Sequence, residues 1–152
     1  MKLIVPFQVP KKHYQADASV VWCFDDRCNE HQNSLLDAFI EAMEFKHVDL
    51  ITEPGGAVVL ARFQTYPTYS LIDRIIMSLE LHSASLVVLM VHVDCAKYKG
   101  LGLGEEAVKK EWLAQDLAAA EQRLSKALET KKLRADIKKV IVDFDGLWET
   151  EE

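Results

Sequence analysis

The sequence is poor in the features that mark exported and nucleic-acid-binding proteins. It contains 3 cysteines, too few for the disulfide framework of a small exported domain, so free thiols or metal ligands are their expected use. Its formal net charge is −6 at pH 7. Surfaces that bind nucleic acids or anionic membranes cluster Lys and Arg instead. We therefore expect neither nucleic acid nor a membrane as a partner.

Long hydrophobic runs are missing as well. The longest strictly apolar run extends only over residues 86–91, whereas a membrane-spanning helix needs about 20 apolar residues. The first residues reach Pro6 after a few apolar positions, too early for the core of a signal peptide. These observations predict a cytoplasmic protein.

What is present fits one globular domain. The chain has 152 residues, of which 49% are hydrophobic and 28% charged, values usual for a soluble domain with a buried core. No repeat, linker or low-complexity segment divides the sequence. We expect a single α/β domain over residues 1–152.

Short apolar runs alternate with segments of helical periodicity. The runs predict strands at residues 20–22, 48–51, 86–91 and 140–142, the last of these being the final strand. Apolar residues at helical spacing predict helices after Ser34, after Pro67 and through a long segment ending near Lys132. Residues 57–61 fit either a strand or a helical turn, and Asp145-Gly146 predicts a hairpin or a strand-ending turn. The alternation predicts a parallel-rich central sheet with flanking helices.

Two of the predicted strands end in metal-ligating residue types. Cys23 follows the first strand, and His92 and Cys95 follow the third. If these strands are neighbours, the three side chains meet at one edge of the sheet, where α/β proteins bind ligands. Two thiolates and an imidazole favour Zn²⁺, and three protein ligands leave a fourth position open, as in catalytic sites. The alternative is that the cysteines are inert core residues and His92 is a hydrogen-bonded structural residue.

The order Cys23-x-Asp25-x-Arg27 followed by His92-x-x-Cys95 resembles the signature of the β-class carbonic anhydrases. The resemblance implies a β-carbonic-anhydrase-like fold in which the two cysteines and the histidine bind zinc. It also implies that Asp25 orients a zinc-bound hydroxide, and that Arg27 pairs with Asp25 and holds it away from the metal.

The resemblance further implies the reaction and the assembly. The expected activity is that of a carbonate dehydratase, a lyase that reversibly hydrates carbon dioxide to bicarbonate. Gly55 and Gly56 stand where the family has a small-residue loop, and are the expected substrate-binding residues. The family's active sites lie at a dimer interface, so a homodimer or higher homo-oligomer is expected. The chain departs from the family pattern at Asp26, where serine is usual, and at Ala96, where glycine commonly follows the second cysteine.

Other functions stay open at this point. The same ligands would suit a non-catalytic zinc- or bicarbonate-binding homologue, or a hydrolase of carbon disulfide or carbonyl sulfide on the same fold. In a metal-free interaction domain the pattern would be a coincidence. Cys28 is expected to be a bystander, because a turn rarely lets it reach the same metal as Cys23. Asp94 either orients a ligand or is a solvated loop acid.

Two other patterns in the sequence are weaker evidence for a function. Gly100, Gly102 and Gly104 lack the G-x-G-x-x-G spacing, and Glu105 and Glu106 would repel a phosphate, so a nucleotide site is disfavoured. Four further histidines could carry protons, although exposure to solvent is the simpler interpretation: His13, His31, His47 and His82.

Overall fold

The structure is a computed structural model that describes residues 4–6, 8, 10, 12–29, 34–103 and 109–150. His31 lies outside these ranges. So do four residues of the predicted glycine-rich loop and long helix, namely Gly104, Glu105, Glu106 and Val108.

The described strands form one sheet in the order β2-β1-β3-β4-β5. Their bounds are β1 (Ala18–Cys23), β2 (Val48–Glu53), β3 (Leu86–His92), β4 (Asp136–Val142) and β5 (Leu147–Glu149). The first four strands pair in parallel and β5 is antiparallel to β4. The predicted parallel-rich α/β fold is confirmed.

Five described helices flank the sheet. They are α1 (Leu35–Ala42), α2 (Val58–Arg62), α3 (Tyr66–Leu81), α4 (Ala96–Gly100) and α5 (Lys110–Lys131). Ser34 begins α1 as the sequence predicts, because its hydroxyl accepts a hydrogen bond from the Asp37 amide at 2.9 Å. The ambiguous segment after Gly56 is α2, a helix rather than a strand. Among the described residues, no helix is long and apolar enough to cross a bilayer.

Residues 140–142 form a strand as predicted, within β4, but the prediction that it is the final strand is wrong. The chain turns after β4 and returns as the three-residue strand β5. The Asp143 carboxylate closes this hairpin by accepting from the amides of Asp145 and Gly146, each at 2.9 Å. β5 escaped detection because three residues are too few to show an alternating pattern.

The faces of the sheet follow from the direction of the chain. The step from β1 to β2 crosses the sheet in the opposite sense to the steps from β2 to β3 and from β3 to β4. Right-handed crossovers therefore place α1 on one face and α3 and α5 on the other. Trp22 stacks on Phe39 of α1, with ring centroids 5.6 Å apart. The central strand β3 is buried by both layers.

Helical spacing in the sequence predicts an apolar stripe on the long helix, through Val108, Trp112, Leu117, Leu124 and Leu128. The buried apolar stripe of α5 differs slightly from that course. It comprises Leu113, Leu117, Ala120, Leu124 and Leu128. The predicted member Trp112 is half-buried, and the Arg62 guanidinium lies over its ring at 5.4 Å from the centroid. Trp112 therefore lies beside the stripe, in contact with the end of α2.

Candidate metal centre

The centre forms where two neighbouring parallel strands end. Cys23 is the last residue of β1 and His92 is the last residue of β3, while Cys95 directly precedes α4. One ligand atom from each side chain lies within 4.8 Å of the other two. All three residues are buried, with 2 to 3% of their surface exposed. The structure thus confirms the prediction that the side chains of Cys23, His92 and Cys95 meet at one edge of the sheet.

His92 leaves one ring nitrogen without a partner. Its Nδ1 lies 2.8 Å from the Val93 carbonyl oxygen, which can only accept, so Nδ1 carries the proton. Its Nε2 is fully buried and has no hydrogen-bond partner among the described residues. A buried polar atom without a partner is costly. A metal ion bound to Nε2 would remove that cost, so the donor set fits a metal.

The two thiols are not equivalent. The Cys95 thiol lies beside the Cys23 sulfur, and this neighbour is the main reason why the pKa of the Cys23 thiol is lowered well below its usual range. The same proximity to Cys23, together with burial, raises the pKa of Cys95. The Gly55 amide also donates to Cys23 Sγ at 3.3 Å. These contacts favour the thiolate form of Cys23, the form that binds metals.

The glycines after β2 let their loop approach the thiols. Gly56 has a φ of 59°, and a Cβ at this position would collide with the carbonyl oxygen of Met90 on β3. Gly55 has a φ of 85°, and a Cβ there would press on Val58. Both positions favour glycine on conformational and steric grounds. Their contact with substrate stays a prediction.

Asp25 and Arg27 form a tight pair beside the centre. Arg27 Nε lies 3.0 Å from Asp25 Oδ1, and Nη2 lies 2.7 Å from Asp25 Oδ2. This bidentate contact lowers the pKa of Asp25 to about 2. Asp25 Oδ2 is 4.0 Å from His92 Nε2. An ionised carboxylate therefore lies next to the unpartnered ring nitrogen.

Asp94 joins this pair from the other loop. Arg27 Nη1 donates to Asp94 Oδ2 at 3.1 Å, and Nη2 donates to the Asp94 carbonyl oxygen at 3.3 Å. The second carboxylate oxygen of Asp94 forms an ion pair with Lys99 of α4. Asp94 thus contacts the guanidinium that pairs with Asp25, and a role in orienting a metal ligand stays a prediction.

Two side chains that the sequence motif does not include, Asn29 and Trp22, hold the loop after β1 in place. Asn29 donates to the carbonyl oxygens of Cys23 and Asp25, at 2.8 and 2.7 Å. The Trp22 indole donates to the Cys28 carbonyl oxygen at 3.3 Å. These hydrogen bonds join residues only four to six positions apart, but no sequence motif predicts them. They fix the direction in which Asp25 leaves the strand.

The remaining polar residues of this loop lie outside the cluster. Cys28 is buried at 4% exposure, and burial raises the pKa of its thiol to about 11. The ligand cluster found among the described residues does not include it. Asp26 opens the 3₁₀ turn Asp26–Cys28 and its side chain is exposed.

A small cavity adjoins His92. Its volume is about 150 Å³, and its lining is Arg27, Cys28, Leu35, His92, Val93, Val142, Asp143 and Phe144. Two larger clefts, each of about 800 Å³, lie at the opposite end of the sheet, near the starts of β3 and β4 and of β1 and β2. Size alone would select those clefts, but the metal-ligating chemistry lies beside the small cavity.

A comparison with known families shows which family the chain belongs to. The family described as "Putative carbonic anhydrase" matches residues 14–143, which is most of the chain. The chain belongs to this carbonic anhydrase family. No curated protein matches it.

Solved structures of β-carbonic anhydrases share the fold at low sequence identity. A β-carbonic anhydrase from Trichomonas vaginalis has a TM-score of 0.52 and 14% identity, with 95% of this chain and 87% of that chain covered. One of two tetrameric β-carbonic anhydrases from Sordaria macrospora has a TM-score of 0.51 and 13% identity, with 92% and 83% covered. The carbonic anhydrase from Streptococcus mutans has a TM-score of 0.50 and 18% identity, with 97% and 88% covered. The chain is a divergent member with the β-carbonic anhydrase architecture.

Proposed function

We propose that this protein is a carbonate dehydratase that binds Zn²⁺ through Cys23, His92 and Cys95 and reversibly hydrates carbon dioxide. The observation that carries the proposal is the unpartnered Nε2 of His92, buried against two thiols where β1 and β3 end. Family membership supports the same reaction.

The chain's own groups have distinct tasks in this reaction. Zinc bound at the three ligands would lower the pKa of a water molecule and so supply the nucleophile. Asp25 is ionised, since the pKa of its carboxyl is lowered to about 2, and it accepts the hydrogen bond that orients the reacting water. Arg27 keeps Asp25 in place. Gly55 and Gly56, on the Cys23 side of the centre, are the proposed substrate-binding residues.

The surroundings suit a small neutral substrate. The cavity beside His92 is small and has apolar side chains in its wall, which suits carbon dioxide better than a large charged molecule. We further propose that the whole chain works as a single domain, in a homodimer or higher homo-oligomer, in the cytoplasm.

Metal analysis combined with stopped-flow carbon dioxide hydration tests the proposal. We expect one zinc per wild-type chain and measurable hydration, and loss of both in Cys23→Ser. Cys28→Ser is the matched control, because Cys28 is buried nearby but lies outside the cluster. It should keep its zinc and its activity.

The pH profile adds a second readout. Two thiolates neutralise the charge of zinc, so they should lower the pKa of bound water less than three neutral histidines do. Hydration should therefore rise toward alkaline pH, and a flat profile between about pH 6 and 9 would contradict this. One zinc per chain without hydration would favour a non-catalytic homologue or a hydrolase of carbon disulfide or carbonyl sulfide. Absence of zinc from freshly prepared reduced protein would overturn the metal site itself.

A further inference from the structure

We propose that Asp94 is a positioning residue that fixes the Arg27 guanidinium, so that Asp25 stays off the metal position. This inference rests on the proposed metal site and adds a member to it. It starts from the contacts of one arginine, Arg27, whose guanidinium lies between two aspartates from different loops.

Asp25 needs a restraint because it stands close to the metal ligands. Its Oδ2 is 4.0 Å from the unpartnered Nε2 of His92. Carboxylate oxygens are themselves zinc ligands, so a small rotation would let Asp25 compete for the fourth position. In the structure both of its oxygens are engaged by Arg27 instead.

Arg27 is a weak restraint by itself. Its side chain is 54% exposed, and an exposed ion pair gains little because solvent screens it and a long side chain must be ordered. The contacts with Asp94, at 3.1 Å to Oδ2 and 3.3 Å to the carbonyl oxygen, order the same guanidinium from the opposite side. Arg27 therefore connects the loop that follows Cys23 to the loop that carries Cys95.

Asp94 meets Arg27 with a restricted backbone and a second cation beside it. Its φ is 56°, a left-handed conformation that aspartate and asparagine tolerate better than most residues. Lys99 takes one of its carboxylate oxygens and Arg27 takes the other. The carboxylate thus has a defined orientation before it meets Arg27.

The test uses Asp94→Asn, which keeps the left-handed backbone acceptable and the side-chain volume nearly constant while removing the charge. The protein is loaded with Co²⁺, and azide is titrated while the visible absorption of cobalt is followed. If Asp25 occupies the metal more often, the fraction of protein able to bind azide falls and the apparent affinity falls with it. For an exposed ion pair we expect azide binding to weaken about twofold to fivefold, with unchanged metal content.

A double-mutant cycle separates positioning from a simple charge effect on azide. In an Arg27→Gln background Asp94 has no guanidinium to fix, so Asp94→Asn should no longer weaken azide binding. Asp73→Asn, an exposed aspartate on α3, controls for the loss of one negative charge and should have no effect.

The results distinguish this inference from the proposed reaction. Equal effects of Asp94→Asn in both backgrounds, or no weakening in the wild-type background, would overturn the positioning role. Wild-type protein that binds cobalt and azide but hydrates no carbon dioxide would overturn the reaction and leave the role of Asp94 standing. Failure of wild-type protein to bind cobalt would overturn both.

Discussion

The two ends of the central sheet each hold a histidine near a carboxylate, but the histidine is satisfied at one end and left open at the other. At the end where the strands start, His82 Nδ1 lies 2.8 Å from Asp49 Oδ2. At the end where they finish, Asp25 is paired with Arg27, and His92 Nε2 has no hydrogen-bond partner within the part of the chain that the structure describes. Because Arg27 binds the Asp25 carboxylate, the His92 imidazole stays available to a metal.

Aromatic packing strengthens the contrast. Tyr14 donates to Asp49 Oδ1 at 2.7 Å, and its ring lies 4.5 Å from that of His82 and 5.0 Å from that of His47. This cluster attaches the segment before β1 to the start of β2. The polar groups at the start of the sheet are therefore paired with one another, whereas the His92 ring nitrogen at its other end is available to a ligand.

The largest expected effect is on metal binding. His92→Ala should abolish it, because one of three ligands is lost. His82→Ala, the matched change at the opposite end, should keep one metal per chain and lose only some stability. Metal content after gel filtration measures both. Equal metal loss in the two variants would break the comparison, since it would mean that the ends are not functionally distinct.

The second largest effect concerns the backbone at the metal end. Gly56→Ala should lower the free energy of unfolding by about 3 kcal/mol, because it combines a positive φ with a clash against the Met90 carbonyl oxygen. Gly102→Ala is the control, with a φ of 73° but nothing within 4 Å of the added Cβ. It should cost about 1 kcal/mol. Chemical denaturation of both variants separates close packing from strain alone.

The smallest effect is the pH dependence of the Asp25 pair. Arg27 lowers the pKa of Asp25 to about 2, below the value of about 3.9 in an unfolded chain. The pair therefore stabilises the fold fully above pH 4, and the contribution is lost as the pH falls toward 2. Asp25→Asn should cost less than about 1 kcal/mol at pH 7, since the Arg27 side chain is 54% exposed and solvent screens the pair, and almost nothing near pH 2. A difference in unfolding free energy that grows on acidification would contradict this.

Much of the fold could be predicted from the sequence because its strands and helices are strongly patterned. The uniformly apolar run of β3 and the capping hydroxyl of Ser34 act locally, so the sequence shows them. The sequence indicates a hairpin or turn at Asp145-Gly146 but not the strand β5 itself, because three residues show no alternating pattern. The exact course of the α5 stripe depends on what the neighbouring elements cover, so periodicity alone misplaces it. His82 was expected to be exposed like other surface histidines, yet it is half-buried against Asp49.

The ligand types and their order are properties of the sequence alone. Cys23, His92 and Cys95 follow apolar strands, and that pattern sufficed to nominate a metal centre. Only the tertiary structure decided that β1 and β3 are neighbours, that Nε2 of His92 is buried without a hydrogen-bond partner among the residues described, and that Asp94 contacts Arg27. Strand order and side-chain orientation arise from the packing of residues far apart in the chain, and periodicity along the sequence carries no record of them.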